Sequence, residues 1–313
     1  MAQNHNDIVL PAKLQLGDRV RFVSPASTPT RGSIKKAQAA LEGLGLTVKI
    51  GKHVFDTYGY LAGNDKDRLA DLNDALRDPD IKAVIATRGG KGAYRIANGI
   101  DFEAIRKNPK LVVGFSEITI LHMAIWQHCH LAGLHGAAWN MEQFGQETTD
   151  SFHRAVMTTE PITVTSRPAE STYELTTQGT ATGILLGGNQ DSIATAAGWA
   201  LPHFNGCILL LEAFNLRLGH IDRQLTMLKN AGYLEGIKGI AIGQYTECGA
   251  DSTTQGDWTV NDVLRDRLGR LGVPILGGLP IGHGEHPIAI PIGTMATLDT
   301  NAGTLTIASG VKS

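Results

Sequence analysis

Ser116 stands where an apolar strand-forming run, "LVVGF", passes into a helical pattern, "SEITILHMAIWQHC". Gly114, two residues earlier, permits a tight turn, and the start of a helix turns backbone N–H groups outward. Such a corner exposes a nucleophilic hydroxyl. It suits an ordinary N-cap as well, because a serine followed by an acid in the first turn, here Glu117, is what a helix start prefers. The second glycine of the usual nucleophile elbow is missing, since Ile118 and Thr119 follow. A glycine cluster, "TRGGKGAYR" at residues 87–95, also follows a strand and can form an anion-binding nest or a plain turn. It is neither a P-loop nor GxGxxG. Glu212 closes "CILLLEAF", where a carboxylate on an apolar strand must be solvated, paired or functional. His283 lies among glycines and prolines in "GLPIGHGEHPIAIPIG", a loop between strands. "HMAIWQHCH" gathers His122, His128, Cys129 and His130, but without HExxH or paired-zinc spacing, so no metal is assigned to it.

Periodicity supplies the elements that must carry these residues. "RVRFVSPAS", "GSIKKAQAALEGLG" and "LTVKI" read as strand, helix and strand. "NDKDRLADLNDALRDPD" reads as a helix with Asn64 or Asp65 as N-cap, and "KAVIAT" as the strand after it. "KLVVGF" into "SEITILHMAIWQHC" makes a third unit. Repeated βα units predict an α/β fold with a parallel, Rossmann-like sheet covered by helices. Right-handed crossovers then place the strand C-termini, and the ligand site, on one edge. The Thr, Ser, Pro and Gly-rich tract between roughly residues 150 and 182 predicts a boundary. The organisation expected is therefore a nucleophile-bearing domain at 1–165, a linker at 166–182 and a smaller mixed α/β domain at 183–313. That second domain combines the strands "GCILLLEAF", "GIAIGQY", "PILGGLP", "ATLDT" and "TLTIAS" with the helices "GHIDRQLTMLKNAG" and "VNDVLRDRLGRLG".

Composition limits the partners. With 313 residues, 42% hydrophobic and 19% charged, the chain can bury a large core. A formal net charge of −2 gives no electrostatic footprint for nucleic acid or an acidic membrane. The first residues lack the pattern of a secretory signal and no apolar run is long enough to span a bilayer, so a cytoplasmic protein is expected. Cys129, Cys207 and Cys248 have no CxxC spacing and read as free thiols.

Taken together, "YGYLAGNDKDRLADLNDALRDPDIKAVIATRGGKG", "LVVGFSEIT", "GILLGGNQ", "ILLLEAF", "HIDRQLTML" and "GLPIGHGEHPIAIPIG" follow one another in the order and at about the spacing of the LD-carboxypeptidase family of serine peptidases. The chain resembles that family over nearly all its length after residue 14. The family includes muropeptide LD-carboxypeptidases and microcin C immunity proteins. The resemblance implies a Ser-His-Glu triad assembled across two domains, with Ser116 as nucleophile, His283 as general base and Glu212 as the acid that orients it. It further implies an oxyanion hole from the backbone N–H groups of Gly90 and Glu117, no metal or organic cofactor, and a homodimer. The substrate class it implies is a peptide or peptide-like small molecule, either a murein peptide or a peptidyl- or aminoacyl-nucleotide amide. In the second case Trp139 or Trp199 can stack on a base, although a core or interface place also suits either. Four places depart from the family pattern: Lys91 stands where an aromatic residue is usual, Glu117 where Asp is usual, "AFNLRLGHID" where more acidic residues are usual, and "HGAAWN" where His-Gly-Pro is usual. Two rivals from other classes are a non-catalytic module that holds an anion on the glycine loop, and an NAD-dependent enzyme, which lacks its glycine fingerprint.

Overall fold

A computed structural model describes residues 8–136, 145–250 and 256–313. In the first half, strands β1 (Arg19–Val23), β2 (Thr47–Ile50), β3 (Ile81–Ala86), β4 (Leu111–Gly114) and β5 (Gly133–His135) pair in parallel. The helices between them are α1 (Arg31–Gly43), α2 (Asp65–Arg77), α3 (Ala93–Ile96), α4 (Phe102–Lys107) and α5 (Thr119–Cys129). Local chemistry explains the boundaries. Asn64 caps α2 by accepting from the Asp67 N–H, and Asp65 and Asp67 put negative charge at the positive end of the helix. Thr30 caps α1 by accepting from the Ser33 N–H. The strands are apolar on both faces, with Phe22, Val84, Ile85 and Val113 fully buried, as a sheet covered on both sides requires.

The second half begins with α6 (Gln146–Met157) and β6 (Ile162–Thr165). It continues through β7 (Thr180–Asn189), α7 (Gln190–Ala196), β8 (Cys207–Phe214), α8 (Leu218–Asn230), β9 (Gly239–Thr246), α9 (Val260–Leu268) and β10 (Ile275–Leu276). It ends with β11 (Ile290–Ile292), β12 (Met295–Asp299) and β13 (Thr304–Ile307). Seven of these strands form a mixed sheet in the order β10-β9-β8-β7-β12-β13-β6, parallel from β10 to β7 and antiparallel from there to β6. The expected architecture, a parallel-sheet first half and a mixed α/β second half, is the one observed.

Two strands cross the divide drawn from the sequence. Ile162–Thr165, inside the segment assigned to the first domain, is the edge strand of the second sheet, with Ile162 opposite Ile307. Ile290–Ile292, far into the second half, adds antiparallel to β5 as the sixth strand of the first sheet, with Ile290 opposite His135. Its central residue is Pro291, which an edge strand tolerates because one row of its N–H groups needs no ladder partner. Within the tract read as a linker, Tyr173–Leu175 forms a single 3₁₀ turn and β7 has begun by Thr180. No helix among the described residues is long and apolar enough to cross a membrane. None of the three cysteines is in a disulfide.

Candidate active site

The C-terminal ends of the parallel strands in both sheets face one cleft of about 790 Å³, lined among others by Gly89, Gly90, Ser116, Asn189 and His283. Ser116 follows β4 directly and holds φ at +60°, a left-handed conformation rarely adopted by a residue with a side chain. A 3₁₀ turn over Ser116–Ile118 then runs into α5. Ser116 makes no capping hydrogen bond there, since the side chain of the residue before the turn is Phe115 and α5 has no side-chain cap. Ser116 thus lies inside the turn in a left-handed conformation and is not the helix N-cap. Gly89 explains how the neighbouring loop comes so close: a Cβ on it would lie 2.7 Å from Ser116 Cβ and 3.0 Å from Ser116 Oγ.

Glu212 and His283 meet, although 71 residues separate them. His283 Nδ1 lies 2.7 Å from Glu212 Oε2. Glu212 is fully buried near the end of β8, beside Asn189 of β7, at a register shift between Leu211 and Ala213. Such an irregularity interrupts the alternation of faces that regular pleating imposes and can re-aim the side chain there. Burial by itself would raise the Glu212 carboxyl, but the charge and hydrogen bond of His283 outweigh it and hold the carboxyl below its ordinary value. The imidazole is packed between two aromatic rings, Phe115 at 4.7 Å and Phe214 at 5.1 Å between centroids. Its loop is held as well: the Gly284 N–H donates to Gln244 Oε1 and Gln244 Nε2 donates to the Glu285 carbonyl. Beneath Phe115, in edge contact with it, lies His135, whose ring burial keeps neutral by pushing its pKa down to about 4.

The two sheets close on each other at Gly188 in "GILLGGNQ". A Cβ there would fall 2.6 Å from Thr119 Oγ1 and 3.0 Å from His135 Cε1, so only glycine lets β7 approach the first turn of α5. The Asn189 N–H then donates to Thr119 Oγ1.

Residues 20–136 match the pattern of the LD-carboxypeptidase N-terminal domain, and residues 182–298 that of the C-terminal domain. A probable murein peptide carboxypeptidase of Bacillus subtilis is 37% identical over 96% of this chain and 95% of its own. The chain belongs to the LD-carboxypeptidase family. It is also similar to the microcin C7 self-immunity protein MccF of Escherichia coli, at 24% identity over 96% of this chain and 95% of that one. Among solved structures, muramoyltetrapeptide carboxypeptidase from Oxalobacter formigenes superposes with a TM-score of 0.82 at 25% identity, covering 94% of this chain and 100% of that chain.

Several features of this family member were not visible in its sequence. The Glu117 side chain, for which only a backbone role was expected, is buried and accepts from the N–H groups of Gly92 and Ala93. It ties the glycine loop to the Ser116 corner. Burial pushes its carboxyl up to about 7, against the pull of those N–H groups and of Lys91. Because the folded state holds a proton that the unfolded chain has released, this group's contribution to stability is lost as pH rises from about 4.5 through about 7. Glu117→Gln keeps the acceptor and removes the charge. Its urea stability relative to the parent protein should therefore improve by about 2 kcal/mol between pH 5 and pH 8. An unchanged difference between the two pH values would mean that Glu117 is ionised throughout.

Lys91, which stands where an aromatic residue is usual, is tied by its Nζ to Asp191 Oδ2 at 2.9 Å, an ion pair that joins the glycine loop to α7. The histidines of "HMAIWQHCH" do not converge. His122 is buried in the core, His128 stacks on Phe102 and His130 ends α5 in a left-handed conformation. Trp199 donates to the Thr195 carbonyl and does not line the Ser116 cleft, and Trp139 lies outside the described residues.

Proposed function

We propose that the protein is a serine hydrolase of the LD-carboxypeptidase type, cleaving an amide beside a terminal residue of a murein peptide through an acyl-enzyme. The single observation that carries the reading is the 2.7 Å contact of His283 with Glu212, in an imidazole that lines the same cleft as Ser116. In this reading Ser116 is the nucleophile. His283 Nε2 takes the Ser116 proton as Oγ bonds to the amide carbon, and Glu212, accepting from Nδ1–H, fixes the tautomer and favours the imidazolium. The backbone N–H groups of Gly90 and Glu117 receive the oxyanion, and each such donor lowers the barrier by about 3 kcal/mol. Collapse breaks the C–N bond and returns the proton to the leaving amine, and water then releases the acyl group by the same base. Every proton is accounted for by these side chains, so the scheme includes no cofactor.

Similarity to MccF supports a second substrate class, an aminoacyl- or peptidyl-nucleotide amide. MccF itself has been solved with aspartyl sulfamoyl adenosine. The cleft has the same chemistry to offer either amide. Incubation of the purified protein with a murein tetrapeptide stem and, separately, with a microcin-type aminoacyl-nucleotide amide tests both. Release of the terminal residue from the first is the expected result, and turnover of the second alone would reassign the substrate. We extend the reading to a homodimer, which rests on family resemblance, and to a cytoplasmic place, which rests on the sequence pattern alone; light scattering of the purified protein reads the oligomeric state.

A further inference from the structure

The cleft is lined by two permanent cations, Arg88 and Lys91, and they differ in what they face. Lys91 is committed to Asp191, whose other oxygen accepts from Gln224 Nε2 at 2.7 Å. Arg88 has no carboxylate partner among the described residues. Its one hydrogen bond among the described residues runs from Nη1 to the Thr28 carbonyl at 3.5 Å, the outer limit of such a contact. The first turn of α1, which lines the same corner through Thr30 and Ser33, carries no acid that competes for it. Arg88 is also adjacent in sequence to Gly89, the residue whose Cα hydrogens face Ser116 Cβ and Oγ.

We infer that Arg88 is a specificity residue that binds the free carboxylate of the leaving terminal residue. The inference rests on the hydrolase reading above. A substrate cleaved next to its terminal residue carries a carboxylate one Cα beyond the scissile nitrogen, and Arg88, lining the same cleft one residue from the glycine that faces Ser116, is the cation there not already paired with a carboxylate among the described residues. A planar guanidinium offers that carboxylate two parallel N–H donors, a geometry that an ammonium lacks. The ion pair of Lys91 with Asp191 serves the same end, since it keeps Asp191 from neutralising the anion site. A peptide with an amidated C-terminus loses this contact and retains the rest.

Binding is measured on Ser116→Ala, so that the result does not depend on turnover, with a murein tetrapeptide as the free acid and as its C-terminal amide. The acid should bind at least about 30-fold tighter than the amide, and adding Arg88→Met should remove most of that preference while changing amide binding by less than about threefold. Arg88→Lys, which keeps the charge and loses the fork, should fall between. Circular dichroism checks that each variant is folded. A preference that survives Arg88→Met, no preference in the parent, or no binding of either peptide overturns the assignment. Turnover of the tetrapeptide by the unaltered protein separately tests the hydrolase reading: a preference that Arg88→Met abolishes, in a protein that cleaves neither form, would keep the anion site and remove the reaction.

Discussion

Ser116→Ala is expected to lower kcat on the murein tetrapeptide by at least about 10⁴, as loss of the nucleophile does in a working triad. The substitution removes one oxygen and keeps Cβ, so the left-handed backbone at φ +60° is retained and thermal stability should hardly move. The expected signature is therefore a folded protein with unchanged near-ultraviolet dichroism and no release of the terminal residue. A phosphonate probe should label Ser116 in the native protein and fail to label it after denaturation. Activity within tenfold of the parent would end the assignment of Ser116, and with it the acyl-enzyme.

Glu212→Gln should be nearly as damaging, with kcat falling by about 10⁴. The reason is tautomeric. A carboxylate at 2.7 Å from Nδ1 accepts a hydrogen bond there and leaves Nε2 free to receive the serine proton. A glutamine can present its amide N–H to Nδ1 instead, which places the ring proton on Nε2 and blocks the base. Because the site is fully buried, the amide exchanges a charge for a neutral group of the same shape and the fold should survive. Measuring kcat across the pH range, with dichroism as the control for folding, checks this. Equal loss of fold and activity would assign Glu212 a structural role in β8.

Much of the scaffold was legible because its signals are local. Asn64, the acids after it and Pro79 mark α2, and "CILLLEAF" is β8 to the residue apart from its leading glycine neighbour. The features that escaped are long-range or weakly patterned. The sequence assigns Gln146–Met157 no element within the first domain, and it is helical because Phe152 and Val156 find a buried face. "IPI" at residues 290–292 carries a proline at its centre and pairs with a strand more than 150 residues earlier, a partnership that no local pattern encodes. The site shows the same division. Ser116 was visible as a strand-to-helix corner, whereas the link from Glu212 to His283 came from family resemblance, since spacing alone gives no reason for residues in a strand and a distant loop to meet. The Glu117 carboxylate and the aromatic pair around His283 depend on packing, and nothing in their sequence neighbourhoods announces them.

The strand Ile290–Ile292 has a bearing on how the molecule comes into being. Until residue 292 has left the ribosome, β5 is an open edge, and His135 at its end has no strand to cover it. The sixth strand of the serine-bearing sheet is thus made more than 150 residues after the strand it covers, so completing that sheet depends on a segment threaded through the second half. A chain cut short of Ile290 would carry its serine on an unfinished sheet.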